Sequence, residues 1–175
     1  FFTSTLITRN TGGSIFGIHA DFAFLLYFPF YLIWPSQKLI IFMSNMAIAG
    51  AVIPIYLFAR RVLGSSLAAL IAAAYLFHPS VLSQATTYDV HDLNLFPIVF
   101  MFCFLAFYQR RFKLFLVLSL LTVLIKEDLT LTISMFGIYA LFAQRSWRWI
   151  VAPIVLGGTW LMLAVKFLIP HFSKT

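Results

Sequence analysis

Apolar residues in this chain come in unbroken runs. They show neither the alternation of strands nor the one-sided stripe of a surface helix. The runs cover residues 22–34, 39–59, 67–77, 93–108, 114–125, 129–143 and 150–169, each ended by a short polar or basic break. A membrane-crossing helix needs about 20 mostly apolar residues. The runs 39–59, 93–108 and 150–169 read as spanning helices. Runs 67–77 and 114–125 are too short to cross a core of about 30 Å alone at about 1.5 Å per residue. They are expected to be re-entrant or tilted, or to turn where Lys126-Glu127-Asp128 dips below the surface. A single bent helix over 113–144 is the alternative, and it would carry that triplet to mid-membrane.

The breaks suggest how each helix ends. Ser36 is placed to cap the helix after it, and Asp92 the helix starting at Leu93. Arg60-Arg61 stop one run, His78-Pro79 breaks another, and Arg110, Arg111 and Lys113 close a third. Trp34, Trp147 and Trp149 fit interfacial belts, and the Phe-rich runs fit lipid or helix contact. Residues 1–17 are polar and read as a water-facing loop.

Composition narrows the class. Of 175 residues, 62% are hydrophobic and 10% charged, against about half and a quarter in soluble domains. The mean hydropathy is +0.98. So much apolar surface cannot be hidden within a chain this small. The expected fold is all-α: a polytopic transmembrane helical bundle with short or re-entrant helices, multi-pass in a cell membrane. We read residues 1–175 as one transmembrane domain, with 1–20 an extracytoplasmic loop and 21–169 the bundle. The opening Phe1-Phe2-Thr3 and the stop soon after an apolar run suggest a piece of a longer protein that retains no signal peptide. Cys103 is the single cysteine and lies within an apolar run, so no intrachain disulfide forms.

Twelve Lys+Arg against 5 Asp+Glu give a net charge of +7. On a soluble domain this would suggest nucleic acid. Here the basic residues flank apolar runs, where they orient helices and meet headgroups, so the lipid bilayer and not nucleic acid is the expected partner. With alternating helices, Arg60, Arg61, Arg110, Arg111, Lys113, Arg145 and Arg148 share one side, the cytoplasmic one. Every acidic residue and every histidine falls on the other, with Arg9, Lys126, Lys166 and Lys174. The proton-active side chains are therefore pooled on the extracytoplasmic face.

Three constellations there carry chemistry. Lys126-Glu127-Asp128 places three ionisable residues between apolar runs, which is costly at depth and marks ion or substrate sites; Lys holds a phosphate and a carboxylate accepts a proton. A hydrated corner between helices is the ordinary alternative. Tyr88-Asp89-Val90-His91-Asp92 offers a base, a ligand pair or a hydrogen-bonded dyad, or simply a loop with Asp92 as cap. His19-Ala20-Asp21 repeats the H-x-D spacing, with an Asp21 cap and an interfacial histidine as its plain reading. The two pairs together allow a divalent metal ion, although no zinc spacing such as HExxH is present. His78-Pro79 is a helix stop, and Gly12-Gly13 lacks the context of a phosphate loop.

The order of features resembles a known family. His19, Pro29-Phe30-Tyr31, Trp34-Pro35-Ser36 and Pro54-Ile55-Tyr56-Leu57-Phe58-Ala59-Arg60 are followed by Tyr75-Leu76-Phe77-His78-Pro79, Tyr88-Asp89-Val90-His91 and Lys126-Glu127-Asp128. This series is similar to the predicted membrane proteins of domain of unknown function 2079, which are grouped by similarity with GT-C type glycosyltransferases. The likeness runs from about His19 to Ile169, and the triplet and the Asp-x-His loop are its most specific parts. It implies an integral-membrane enzyme that takes a sugar from a polyprenyl-phosphate donor on the extracytoplasmic side. Asp21, or an acid upstream, corresponds to the essential acid of the first external loop. Asp89 and Lys126 look like the later loop acid and the lysine near the lipid phosphate. His19, Tyr88, His91, Glu127 and Asp128 would then bind substrate. A transporter or channel, and a non-catalytic scaffold, are the rival expectations.

Overall fold

The computed structural model describes residues 22–86 and 92–173, and every regular element among them is helical. His19, Asp21, Tyr88, Asp89 and His91 lie outside the described residues. By packing, residues 23–118 form one compact unit, and Phe22 with residues 119–173 another. Helices of the all-α bundle turn many large apolar side chains outward, among them Phe42, Leu70, Leu131 and Phe167. Such a surface suits lipid.

In the first unit, α1 (Ala23–Ile33) precedes α2 (Gln37–Gly50) and α3 (Val52–Leu63). Together α2 and α3 make one apolar stretch of 27 residues, long enough to cross a membrane. It is broken at Ala51, where the N–H turns back to Ile48 O at 3.2 Å. Pro54 is the cause, because it has no N–H for Gly50 O and its ring crowds that carbonyl. Ser36 holds the N-cap position of α2 without a side-chain cap bond. Arg60 and Arg61 occupy the last turn of α3, but Gly64 ends it, at φ 84°. Only a residue without Cβ takes that conformation cheaply, so the stop is steric rather than electrostatic.

After Gly64, α4 (Ser65–Leu76) packs back along α3, and its Tyr75 O–H donates to Ile48 O at 2.8 Å. His78-Pro79 breaks the chain as expected. Proline opens α5 (Pro79–Thr86), and His78 Nδ1 accepts the Ser80 N–H at 3.3 Å. A 3-10 turn (Asp92–Leu95), not an α-helix at Leu93, leads into α6 (Phe96–Tyr108). Asn94 meets Ser44, Gly50 faces Ile98, and Phe58 packs edge-on to Phe104 and Tyr108. These contacts advance together, so α6 runs parallel to α2–α3. Arg60-Arg61 and Arg110-Arg111 thus share one end of this unit.

Chain reversal after α6 begins with Arg110 at φ 60°; α7 (Phe112–Ile125) returns, with Phe115 against Phe107. A turn at residues 126–128 separates it from α8 (Leu129–Phe142), so no single helix runs through 113–144. The last hairpin joins α8 to α9 (Trp147–Leu163), which continues through a π-helical turn (Ala164–Leu168) into α10 (Ile169–Ser173). Trp147–His171 is the second stretch long and apolar enough to cross a membrane, at 25 residues. Pro170 does not end it. Lys166 O loses its partner to that proline, and the wider turn, with Ile169 N–H on Ala164 O, absorbs the defect. Trp149 is a correction to the belt reading. It is buried, with the Arg145 guanidinium 5.2 Å from its ring centre, whereas Trp34 and Trp147 are exposed.

Candidate functional site

Close packing of α8 on α9 sets the depth of the Lys126-Glu127-Asp128 turn. Thr130, Ile133, Gly137 and Ala140 on α8 are buried, as are Trp149, Pro153 and Gly157 on α9. Small residues let two backbones approach where lipid supplies no hydrophobic drive. A Cβ on Gly137 would meet Ile150 O at 2.5 Å, and one on Gly157 would meet Ser134 Oγ and Thr130 O. These antiparallel contacts set the triplet beside the last turn of α9, around Trp160–Leu163. It does not reach the level of His171. The 14 residues of α8 rise about 21 Å, less than the 25-residue stretch Trp147–His171 beside them, so the triplet stops short of that stretch's end. It is recessed.

The turn is held by its backbone. Leu129 N–H bonds Lys126 O at 3.2 Å, Leu131 N–H bonds Asp128 O at 3.3 Å, and Thr130 Oγ1–H donates to Glu127 O at 2.6 Å. Ser134 Oγ–H returns to Thr130 O at 2.8 Å. Asp128 is at the N-cap position of α8 but makes no side-chain cap bond and is exposed; Lys126 and Glu127 are half-buried.

Sequence reasoning missed several groups around this turn. Ser119 and Thr122 are fully buried on α7, and with Lys126 they follow a spacing of three and four, so one face of an apolar helix is polar. That spacing was the available signal. Trp160 carries a buried indole N–H that meets no acceptor among the described residues, and its ring lies edge-on to Phe22 at 5.8 Å. A buried donor left unpaired costs about 1–3 kcal/mol. Phe22 N–H in turn bonds Leu124 O at 3.1 Å, two residues before Lys126. Away from the Arg145–Arg148 end, this unit therefore gathers Lys126, Glu127, Asp128, Trp160 and Lys166.

The other unit has its own polar cluster. Gln84 Nε2 donates to Asn94 Oδ1 at 3.1 Å, and Asn94 Nδ2 to Ser44 Oγ at 2.6 Å. Asn94 and Ser44 are buried. Among the described residues no three His, Cys, Asp or Glu side chains gather in a way that could hold a metal ion. The H-x-D pairs that would supply one lie outside the described residues.

No curated protein and no solved structure matches the chain. An all-helical fold, two apolar stretches long enough to cross a bilayer and an outward apolar surface describe a membrane protein. A family model for "Predicted membrane protein (DUF2079)" matches residues 1–175, and the chain belongs to that family.

Proposed function

We propose that this protein is a multi-pass glycosyltransferase of the cell membrane, using a polyprenyl-phosphate sugar donor from the extracytoplasmic side. The observation that carries the reading is the recessed Lys126-Glu127-Asp128 turn. Ionisable groups held within the depth of an apolar bundle are expensive unless they meet a ligand. In the proposed step an acceptor hydroxyl gives its proton to a carboxylate and its oxygen bonds the anomeric carbon. The bond from that carbon to the lipid phosphate breaks, and the phosphate leaves with the electron pair. Lys126 offsets the phosphate charge, with the Trp160 N–H as a further donor. Glu127 and Asp128 orient the lysine.

Asp21 and Asp89 are the candidate bases, with His19, Tyr88 and His91 as substrate contacts. The test uses the full-length protein and sugar transfer from a polyprenyl-phosphate donor. Lys126→Ala and Asp21→Ala are each expected to lower kcat by at least about 100-fold. Undiminished transfer by Lys126→Ala would refute the role given to that lysine, and no transfer by the unaltered protein would end the reading.

A transporter is the second reading, favoured by one observation. In each unit a long apolar stretch is paired with a short helix that stops beside polar groups, as broken helices do around transported substrates. Flux in proteoliposomes without any sugar transfer would select it.

A further inference from the structure

Within residues 23–118 a cavity of about 290 Å³ opens beside the Ser44–Asn94–Gln84 chain. It lies at the low end of the range of about 300–1,000 Å³ for ligand sites, which suits a single ring rather than a long lipid tail. Its depth follows from Ile48, which lines it. Ile48 is close to the middle of the 27-residue stretch Gln37–Leu63. The Ile48 carbonyl, which takes the Ala51 N–H at the break between α2 and α3, also accepts the Tyr75 hydroxyl, and this brings that phenol to the cavity wall.

Tyr75, Ser80, Gln84 and Asn94 give the lining hydroxyl and amide groups, and Ile48, Val81, Leu93 and Pro97 give it apolar surface. Among the described residues, no side chain in this lining bears a charge. A charged ligand would lose its hydration there without a counter-charge, at a cost of several kcal/mol. A neutral ligand with hydroxyls on one edge and C–H groups on its face matches both walls. The Asn94 amide is oriented in advance, because its oxygen accepts from Gln84 and its nitrogen donates to Ser44. Such fixed amides select by geometry, since the ordering cost is already met in the empty site.

We propose that this cavity binds an uncharged, hydroxylated six-membered ring. Its identification as the sugar of the donor or acceptor rests on the transferase reading.

The test is saturation-transfer NMR on the full-length protein in lipid nanodiscs. Methyl β-D-glucopyranoside and methyl β-D-galactopyranoside are the neutral probes, and methyl β-D-glucuronide the charged one. Saturation is expected on a neutral glycoside, strongest at its C–H face, with the glucuronide weaker. Gln84→Leu is expected to weaken binding about fivefold, the loss of one neutral hydrogen bond. Val81→Trp, at a half-buried wall position outside the buried bond chain, fills the space and is expected to abolish the signal with an unchanged unfolding midpoint. Full signal in Val81→Trp, an equal signal from the glucuronide, or none from either neutral probe would overturn the proposal. Lys126→Ala separates the two readings. It is expected to stop transfer while leaving glycoside binding intact. No transfer by the unaltered protein, together with cavity-dependent glycoside binding, would sink the transferase reading and leave this site standing.

Discussion

Two adjacent glycines differ completely in what surrounds them. A methyl group on Gly157 would run into Ser134 Oγ and the Thr130 carbonyl, whereas one on Gly158 would meet nothing within 4 Å. Gly157→Ala is therefore expected to destabilise by about 1–3 kcal/mol, by forcing α9 away from α8. Gly158→Ala removes only the entropy cost of glycine within a helix and is expected to stabilise by about 0.5–1 kcal/mol. Thermal unfolding of both variants in the same detergent checks the pair. Equal shifts would refute the close approach that sets the depth of the triplet. Thr130 is affected by the same contact, so Gly157→Ala is also expected to disturb the turn at Lys126.

At the scale of elements, two helices end in the same way without glycine. After α6, Arg110 N–H bonds Phe107 O and Arg111 N–H bonds Ala106 O; after α8, Gln144 N–H bonds Leu141 O and Arg145 N–H bonds Ala140 O. Each is a Schellman cap, and Arg110 and Gln144 take the left-handed position at φ 60° and 49°. A side chain there is strained. Gln144→Gly is expected to raise stability by about 0.5–1 kcal/mol, read as an upward shift of the unfolding midpoint. No gain would mean that Gln144 makes compensating contacts. Proline acts on elements differently in the two long stretches. Pro54 breaks α2 from α3, while Pro170 is accommodated by a π-helical turn that includes Lys166.

For the molecule as a whole, the decisive quantity is depth. Within residues 119–173, basic Arg145 and Arg148 mark one end and the triplet stops within the bundle. In a Cys103→Ala background, Lys126→Cys is expected to react with a membrane-impermeant maleimide at least about tenfold more slowly than His171→Cys. Thiolate formation and reagent access both fall in an apolar recess. Equal rates would put the turn at the water boundary. Ser146→Cys is expected to label only from the opposite side of the membrane, following the basic residues.

Much of this architecture is legible without coordinates. The apolar runs, the break at His78-Pro79 and the isolated Lys126-Glu127-Asp128 follow from composition and spacing, because burying a bare backbone in lipid forces helices and makes every charge conspicuous. Other features depend on neighbours distant in sequence. Nothing local distinguishes Gly157 from Gly158, a buried Trp149 from an exposed Trp147, or the bonded Asn94 from any loop asparagine. Ser44 becomes a partner of Asn94 only because α6 runs parallel to α2. The sequence alone determined that this is a helical membrane protein with few, clustered ionisable groups. Tertiary packing decided how deep the triplet lies and that four neutral polar residues line one cavity, because helix register is set by side-chain contacts that no local pattern encodes.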